Sequence, residues 1–199
     1  CALPISVVEQ KMLLDILKHE DIRYGDIMLL SMFTGMRIGE CCALMVEDIN
    51  FDEQTLRVSK TVARGKFGKS EIHEPKTSSG TRTLFINDDL ADFLRSVIGD
   101  KESGLLFLSS NNNSVTTNQV NYSYAAAMKK YGIVDSSVYG KVNLHSLRHT
   151  YATRCIESGM PAKVLQKIMG HSDIGVTLNT YTHVCYEDAS REMKKVSNS

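Results

Sequence analysis

The chain of 199 residues has no tryptophan and only three prolines. No apolar run approaches the roughly 20 residues that span a bilayer, and the chain does not open with the charged and apolar segments of a secretory signal. Its five cysteines are odd in number and include no C-x-x-C pair, which argues against a disulfide framework and a cysteine zinc site. Reduced, buried thiols in a cytoplasmic protein are the favoured interpretation.

Net charge is also absent, because 23 basic residues balance 23 acidic ones. A zero balance counts against a nucleic-acid-binding protein, but the charges are unevenly distributed. Residues 1–56 carry ten acids and four bases, whereas residues 57–82 carry seven bases and two acids. The neutral total can therefore hide one positive face, although a solvated hairpin would show the same pattern.

Hydrophobic periodicity predicts an α+β fold that is mostly helical, with one small antiparallel sheet. Ser6 and Glu9 form a capping-box pattern ahead of the first helix, and Gly159 and Pro161 mark a stop and restart between two later helices. Alternating β-branched residues predict strands at 55–62, 71–74 and 81–86. Further helices are predicted at 24–33, 38–44, 89–97, 117–131, 146–158, 162–169 and 188–195.

The segment TGMRIGE at residues 34–40 places Arg37 between Gly35 and Gly39. Glycines let the backbone bend and let a bulky ligand approach closely, and the arginine fork suits a phosphate. Glu40, three residues on, is placed to orient the guanidinium. A surface Arg–Glu pair at helical spacing is the alternative interpretation.

Two further segments carry polar residues that a core does not need. Lys76 lies in a turn between predicted strands, where a solvated loop lysine is the usual outcome. His145 and Arg148 share one face at a helix start. His145 and His149 have the spacing of the zinc motif H-E-x-x-H, but Ser146 replaces the glutamate and Arg148 would repel a cation.

The last two segments lie near the C-terminus. Gly170 has the position of a residue that ends a helix, with His171 leaving immediately after it, although a histidine that caps a helix is a common structural feature. Tyr181 is one of eight tyrosines, and an isolated tyrosine is more often a packing residue.

Taken in order, the five segments resemble the tyrosine recombinase (phage integrase) family. That family has T-G-x-R-x-G-E, a β-hairpin lysine, L-H-x-L-R-H, L-G-H and a tyrosine in a Y-x-H context, and this chain has TGMRIGE, Lys76, LHSLRH, MGH and YTH. The resemblance covers nearly the whole chain, and its local features are similar to integrases of prophages or integrative conjugative elements. It implies a helical catalytic domain that cuts and rejoins DNA for integration and excision of a mobile element.

The resemblance implies a role for each matching residue. Tyr181 is the nucleophile that forms a 3′-phosphotyrosine, and His145 is the acid/base helper near its oxygen. Arg37 and Arg148 hold the phosphate, whose developing charge must be spread over fixed donors. Lys76 protonates the leaving 5′-oxygen.

The remaining candidates support this chemistry. His171 donates a hydrogen bond to the phosphate. Glu40 and His183 are expected to contact the catalytic residues and support them without touching the DNA themselves. Three hairpin bases are candidates for contacts with the DNA backbone, which give affinity without sequence choice. They are Arg64, Lys66 and Lys69.

No cofactor and no metal ion are expected, because the arginines and the lysine supply positive charge and no carboxylate cluster suits two Mg²⁺ ions. The expected partner is double-stranded DNA at attachment sites. A homotetramer on DNA is expected for the full-length protein, with a C-terminal segment packed against a neighbour, and a monomer for this domain alone. An accessory directionality factor is a further expected partner, and a membrane is not.

The whole of residues 1–199 is interpreted as the catalytic domain, with N-terminal core-binding and arm-binding domains absent from this chain. Three other interpretations stay open. Residues 160–180 are compatible with a non-enzymatic helix-turn-helix, which leaves Arg37, Lys76 and Tyr181 without a task. A catalytically silent binding domain is the second, and a telomere resolvase or type IB topoisomerase is the third. The compact HSLRH segment and the short length favour a recombinase.

Overall fold

A computed structural model describes residues 4–64, 70–74, 80–133 and 143–172, together with Gly175. This part of the chain contains seven α-helices and five short strands. The helices are α1 (Val7–His19), α2 (Gly25–Thr34), α3 (Ile38–Cys42), α4 (Asp88–Ile98), α5 (Thr117–Tyr131), α6 (Leu144–Glu157) and α7 (Ala162–Met169). The strands are β1 (Ile49–Asn50), β2 (Thr55–Val58), β3 (Thr61–Arg64), β4 (Ser70–His73) and β5 (Arg82–Phe85). The predicted helical α+β class is confirmed.

Helix α2 is the centre of the fold. Eight of its ten residues are buried, and it packs against α1, α3, α5 and α6. A helix that is apolar all round must be enclosed on all sides, which accounts for its position. It ends where Gly35 adopts a left-handed conformation with φ of 68°, as the sequence predicts.

The strands form two small antiparallel sheets, where the sequence predicts one. Strands β1, β2 and β5 pair in that order, and β3 pairs with β4 as a separate hairpin. The predicted strand 55–62 is interrupted at Ser59 and Lys60. At this interruption the side chain of Lys60 pairs with Asp48 (Nζ–Oδ1 2.8 Å).

Helices α6 and α7 are the last two helices that the structure describes. They pack on each other through Ala152, Ile156, Leu165 and Met169, while α6 also packs on α2 and α7 on β5. The predicted stop and restart between them is confirmed, since α6 ends at Glu157 and α7 begins after Pro161. No helix within the described ranges is long and apolar enough to cross a membrane.

The segment that leads into α1 is bonded to α6. The Ile5 amide donates to the Thr150 hydroxyl (3.0 Å), and Arg154 donates from Nη2 to the Ile5 carbonyl oxygen (2.9 Å). Arg154 also donates from Nε to Gln10 Oε1 (2.9 Å). Two residues of α6 therefore hold the chain on both sides of the Ser6 cap.

Candidate active site

Arg37 lies in the tight turn between α2 and α3. Gly35 permits this turn, because a Cβ there would lie 2.4 Å from Cδ1 of Tyr151 and its φ is left-handed. Arg37 precedes α3 in an extended conformation. Its amide donates to Glu40 Oε2 (2.8 Å) and its Nη1 donates to Glu40 Oε1 (2.9 Å). With 42% of its side chain exposed, Arg37 is oriented by Glu40 yet open to a ligand.

Glu40 binds a second arginine, Arg82, which begins β5. Arg82 donates from Nη1 to Oε1 (3.1 Å) and from Nη2 to Oε2 (2.8 Å). Burial alone would raise the pKa of Glu40, but the hydrogen bonds and charge of Arg82, followed by those of Arg37, lower it below its ordinary value. Glu40 is thus a buried carboxylate shared by two guanidiniums.

Arg148 is enclosed in α6 with only 2% of its surface exposed. Its Nη1 donates to the carbonyl oxygen of Gly35 (2.7 Å), and its Nη2 donates to the carbonyl oxygen of Met169. These acceptors are at the ends of α2 and α7. The arginine therefore lies where three helices meet.

His145 and His149 lie one turn apart on α6, with ring centroids 4.8 Å apart and planes at 81°. Asn143 caps this helix and accepts from the His145 amide (2.9 Å), which places His145 in the first turn. Desolvation and the charges of Arg148 and then Arg37 lower the pKa of His145. Desolvation, His145 and Arg148 lower the pKa of His149 to about 4.

A metal site at His145 and His149 would need at least one further ligand side chain. No group of three His, Cys, Asp or Glu side chains that could hold a metal ion occurs among the residues that the structure describes. His149 Nδ1 is buried without a hydrogen-bond partner there, and its ring packs edge-on against that of His145.

His171 follows α7 directly. Gly170 ends the helix with φ of 63°, and the His171 amide donates to the Gln166 carbonyl oxygen (3.2 Å). Burial lowers the pKa of His171 to about 4, with further contributions from Arg148 and Arg37 and smaller ones from His149 and Arg82. A neutral imidazole thus lies within the field of three arginines.

The structure brings Arg37, Glu40, Arg148, His145 and His171 together from three separate parts of the chain. The arginines and histidines of this set supply positive potential and N–H donors, which suit an anion such as a phosphate, and Glu40 orients one of the arginines. Five other predicted residues lie outside the described ranges, and Arg64 is described only by its backbone at the end of β3. The five residues outside the described ranges are Lys66, Lys69, Lys76, Tyr181 and His183.

Arg82 is the residue that sequence reasoning missed. In the sequence it counts only as one of seven bases in residues 57–82. Its alternation within a strand is a weak signal, because it predicts a side chain that faces the sheet's polar side. In the structure Arg82 is 6% exposed and binds Glu40.

A groove of about 680 Å³ adjoins the histidine end of this site. It lies between α2, β5 and α7, and His171 and Ser172 form part of its wall. Phe85 in this wall is 85% exposed and Val164 is 46% exposed. An apolar surface of this kind beside a polar site is typical of a contact surface for another chain.

Comparison with protein families supports the likeness in sequence. The phage integrase family matches residues 5–188. The transposase of transposon Tn916 from Enterococcus faecalis is 30% identical over 184 residues, which cover 87% of this chain and 45% of that protein. Tyrosine recombinase XerA of Pyrococcus furiosus is 31% identical over 189 residues, covering 92% of this chain and 58% of that protein. The chain thus spans about half the length of the curated relatives it matches.

Solved structures show the same likeness in fold. The Tn1549 transposon integrase, in complex with circular intermediate DNA, superposes with a TM-score of 0.83 at 29% identity, covering 98% of this chain and 67% of that one. The XerA recombinase superposes with a TM-score of 0.70 at 26% identity, covering 99% of this chain and 65% of that one. The helical architecture with its small sheets is therefore that of these catalytic domains.

Proposed function

Because this chain belongs to the phage integrase family, we propose that its protein is a tyrosine site-specific recombinase that integrates and excises a mobile element. The observation that carries the proposal is the convergence of Arg37, Arg148 and His171 from three distant segments. A phosphodiester is an anion, so the donors must spread the charge that grows on its non-bridging oxygens. Two arginines and a neutral imidazole suit that task.

The proposed reaction begins with attack of the Tyr181 oxygen on the scissile phosphorus. The new O–P bond forms a 3′-phosphotyrosine, and the bond from phosphorus to the 5′-oxygen breaks. Lys76 gives its proton to that oxygen, and His145 takes the phenol proton. A phenol with a pKa near 10 is a poor nucleophile until this proton leaves. Attack by the freed 5′-hydroxyl of another strand reverses the steps and needs no ATP, because the phosphoester energy is kept.

The lowered pKa of His145 favours its neutral imidazole, which is the form that can accept a proton. His171 is neutral for the same reason, so it offers one N–H to a phosphate oxygen. Glu40 orients Arg37 in this scheme, and we assign no resident metal or cofactor.

Double-stranded DNA is the proposed partner. Strand β3 and its basic surroundings, with Arg64, Lys66 and Lys69, are proposed to contact the phosphate backbone, so affinity should fall as salt rises. We propose a cytoplasmic location, where a mobile element would meet the DNA of its host.

Four subunits are proposed to assemble on two DNA sites. The groove beside His171 is mostly apolar, and the ring of Phe85 in its wall is exposed to water in the isolated domain. Residues 186–196 carry Ala189, Met193 and Val196 at helical spacing. We assign this segment of a neighbouring subunit as the groove's occupant, which would couple one active site to the next.

The test uses a duplex with a nick near the cleavage site, so that a released fragment diffuses away and the covalent product accumulates. The natural full-length protein is incubated with nicked duplexes that tile a candidate attachment site, with EDTA present. We expect a covalent protein–DNA band on a denaturing gel that Tyr181→Phe abolishes. A band that persists in this variant removes Tyr181 as nucleophile, and no band with wild type on any duplex favours a silent binding domain.

A further inference from the structure

We propose that Arg82 is a positioning residue that neutralises Glu40 and so leaves the charge of Arg37 available to the scissile phosphate. This role rests on the proposed function. The three side chains form one unit, in which a single buried carboxylate lies between a buried arginine and a half-exposed one.

The hydrogen bonds of Glu40 are equally divided between the two arginines. Oε1 accepts from Nη1 of Arg37 (2.9 Å) and Nη1 of Arg82 (3.1 Å). Oε2 accepts from the Arg37 amide (2.8 Å) and Nη2 of Arg82 (2.8 Å). Arg37 gives only one guanidinium nitrogen to this contact, so its other donors remain for a ligand.

Charge counting shows why the second arginine matters. Two guanidiniums and one carboxylate leave one net positive charge, whereas Arg37 and Glu40 alone would leave none. Glu40 is 5% exposed, so water cannot replace the lost cation. Without Arg82, Glu40 would attract Arg37 more strongly, and a phosphate would compete with a buried carboxylate for the same fork.

Arg82 is fixed from a second side. Its Nε donates to the carbonyl oxygen of Ile168 (2.6 Å), and its Nη1 also reaches the Gly80 carbonyl oxygen (3.3 Å). Ile168 precedes Met169, whose carbonyl oxygen binds Arg148. The fork of Arg82 is thus held rigidly toward Glu40, and it joins the end of α7 to the start of α3.

Exposure separates the tasks of the two arginines. The Arg82 side chain is 6% exposed and the Arg37 side chain is 42% exposed. Arg37 is therefore placed to touch the phosphate, and Arg82 acts through Glu40. Lysine at position 82 would keep the charge but could not span both carboxylate oxygens and the Ile168 carbonyl.

The experiment measures covalent cleavage by the full-length protein on two nicked duplexes. One has the ordinary scissile phosphate, and the other has a methyl group in place of one non-bridging oxygen, which removes the negative charge. Arg82→Met is compared with Arg82→Lys, with Arg82→Met/Glu40→Gln and with the control Arg95→Met, whose arginine is an exposed partner of Asp92.

On the ordinary phosphate we expect Arg82→Met to cleave roughly 10²-fold more slowly, as for loss of one charged donor. The penalty should shrink by about tenfold on the uncharged linkage, because less positive charge is then needed. Adding Glu40→Gln should raise the rate of Arg82→Met by about tenfold, since the unpaired carboxylate is gone. Arg82→Lys should lie between wild type and Arg82→Met, and the control should match wild type.

An equal penalty on both linkages would overturn this role for Arg82, because a general folding defect slows both alike. A double variant no faster than Arg82→Met would overturn it as well. Should Arg82→Met fail to fold, the double variant and Arg82→Lys carry the same comparison. If wild type yields no covalent product at all, the proposed recombinase function falls, and the role of Arg82 falls with it.

Discussion

The guanidinium of Arg148 and the carbonyl oxygen of Gly35 are joined by a hydrogen bond of 2.7 Å across 113 positions of the chain. A second bond links the same guanidinium to Met169 at the end of α7. Both acceptors terminate helices, where carbonyl groups lack a partner within the helix. Arg148 therefore stabilises the fold with the same group that is proposed to bind the phosphate.

Arg148→Lys and Arg37→Lys should separate these two effects. Both should slow covalent cleavage by about 10²-fold or more, because an ammonium lacks the fork. Only Arg148→Lys should also lower the free energy of unfolding, by about 3 kcal/mol, since it leaves buried carbonyl oxygens without their charged donor. Urea unfolding and the covalent-band assay measure the two quantities, with Arg95→Lys as the control. Equal stability of the two variants would contradict a structural role for Arg148.

Glu40→Gln should lower the free energy of unfolding by about 3–5 kcal/mol, because it breaks a buried ion pair and leaves Arg82 without its counter-ion. Asp92 and Arg95 form an exposed ion pair with the same spacing of three residues as Arg37 and Glu40. Asp92→Asn removes the carboxylate of this exposed pair. Asp92→Asn should lower the free energy of unfolding by less than about 1 kcal/mol. Urea unfolding of both variants at pH 7 checks the difference, and similar losses would show that burial of Glu40 contributes nothing.

Gly35→Ala should destabilise far more than Gly99→Ala, although both glycines have positive φ values. The alanine Cβ at position 35 would lie 2.4 Å from the Tyr151 ring, whereas nothing lies within 4 Å at position 99. Gly99→Ala should lower the free energy of unfolding only through backbone strain at φ 54° and ψ −127°, by about 1–3 kcal/mol. Gly35→Ala should also slow cleavage, because Arg148 binds the Gly35 carbonyl. Thermal unfolding of both variants tests the comparison, and matching midpoints would exclude the steric contact.

Acidification should destabilise the protein between about pH 6.5 and pH 4. The folded pKa of both His149 and His171 is about 4, below the value of about 6.5 in an unfolded chain. The unfolded state therefore binds more protons in this window, so their contribution is present above pH 6.5 and lost as pH falls. His149→Gln should flatten the slope of unfolding free energy against pH, and exposed His19→Gln is the control. An unchanged slope would mean that His149 titrates normally.

Bound DNA should shift His171 in the opposite direction, because a phosphate anion beside the ring favours the protonated form. We expect its pKa to rise above about 4 when a duplex is bound. Nuclear magnetic resonance of the ring protons, with and without DNA, measures this change. If the pKa of His171 is the same with and without DNA, the phosphate does not lie beside this ring.

Phe85→Ser should leave the isolated domain as stable as wild type, since the ring is 85% exposed. In the full-length protein it should weaken assembly on DNA, because it removes apolar surface from the groove that we assign to a neighbour's C-terminal segment. Sedimentation of the protein–DNA complex gives the stoichiometry, and Tyr122→Ser, at another exposed aromatic residue, is the control. Unaltered assembly in Phe85→Ser would indicate another occupant.

Local signals in the sequence predict the helices well. Residues 117–131 and 162–169 are helical as predicted, because the residues that cap these helices lie within a few positions of the helix ends in the sequence. At α5 the hydroxyl of Thr116 accepts from the Gln119 amide (3.1 Å), and α7 ends at Gly170. Helix α6 begins at Leu144, two residues before the predicted start, because Asn143 caps it.

Contacts between distant segments are what the sequence could not predict. Arg82 binds Glu40 at a separation of 42 positions and Ile168 at a separation of 86, so no local pattern marks it. The division into two sheets also depends on contacts along the chain, because β2 pairs with β1 and β5, whereas β3 pairs with β4. The roles of Lys76 and Tyr181 stay predictions that the experiments above address.

The bonds from Thr150 and Arg154 to Ile5 give this fold a mechanical property. Tension on the backbone ahead of Ile5 meets α6 before it meets α1, because the backbone amide and carbonyl of Ile5 are both tied to that helix. The same helix carries His145 and Arg148, one turn and more toward its beginning. A force on the N-terminal end would therefore be transmitted first to the helix that carries these two residues.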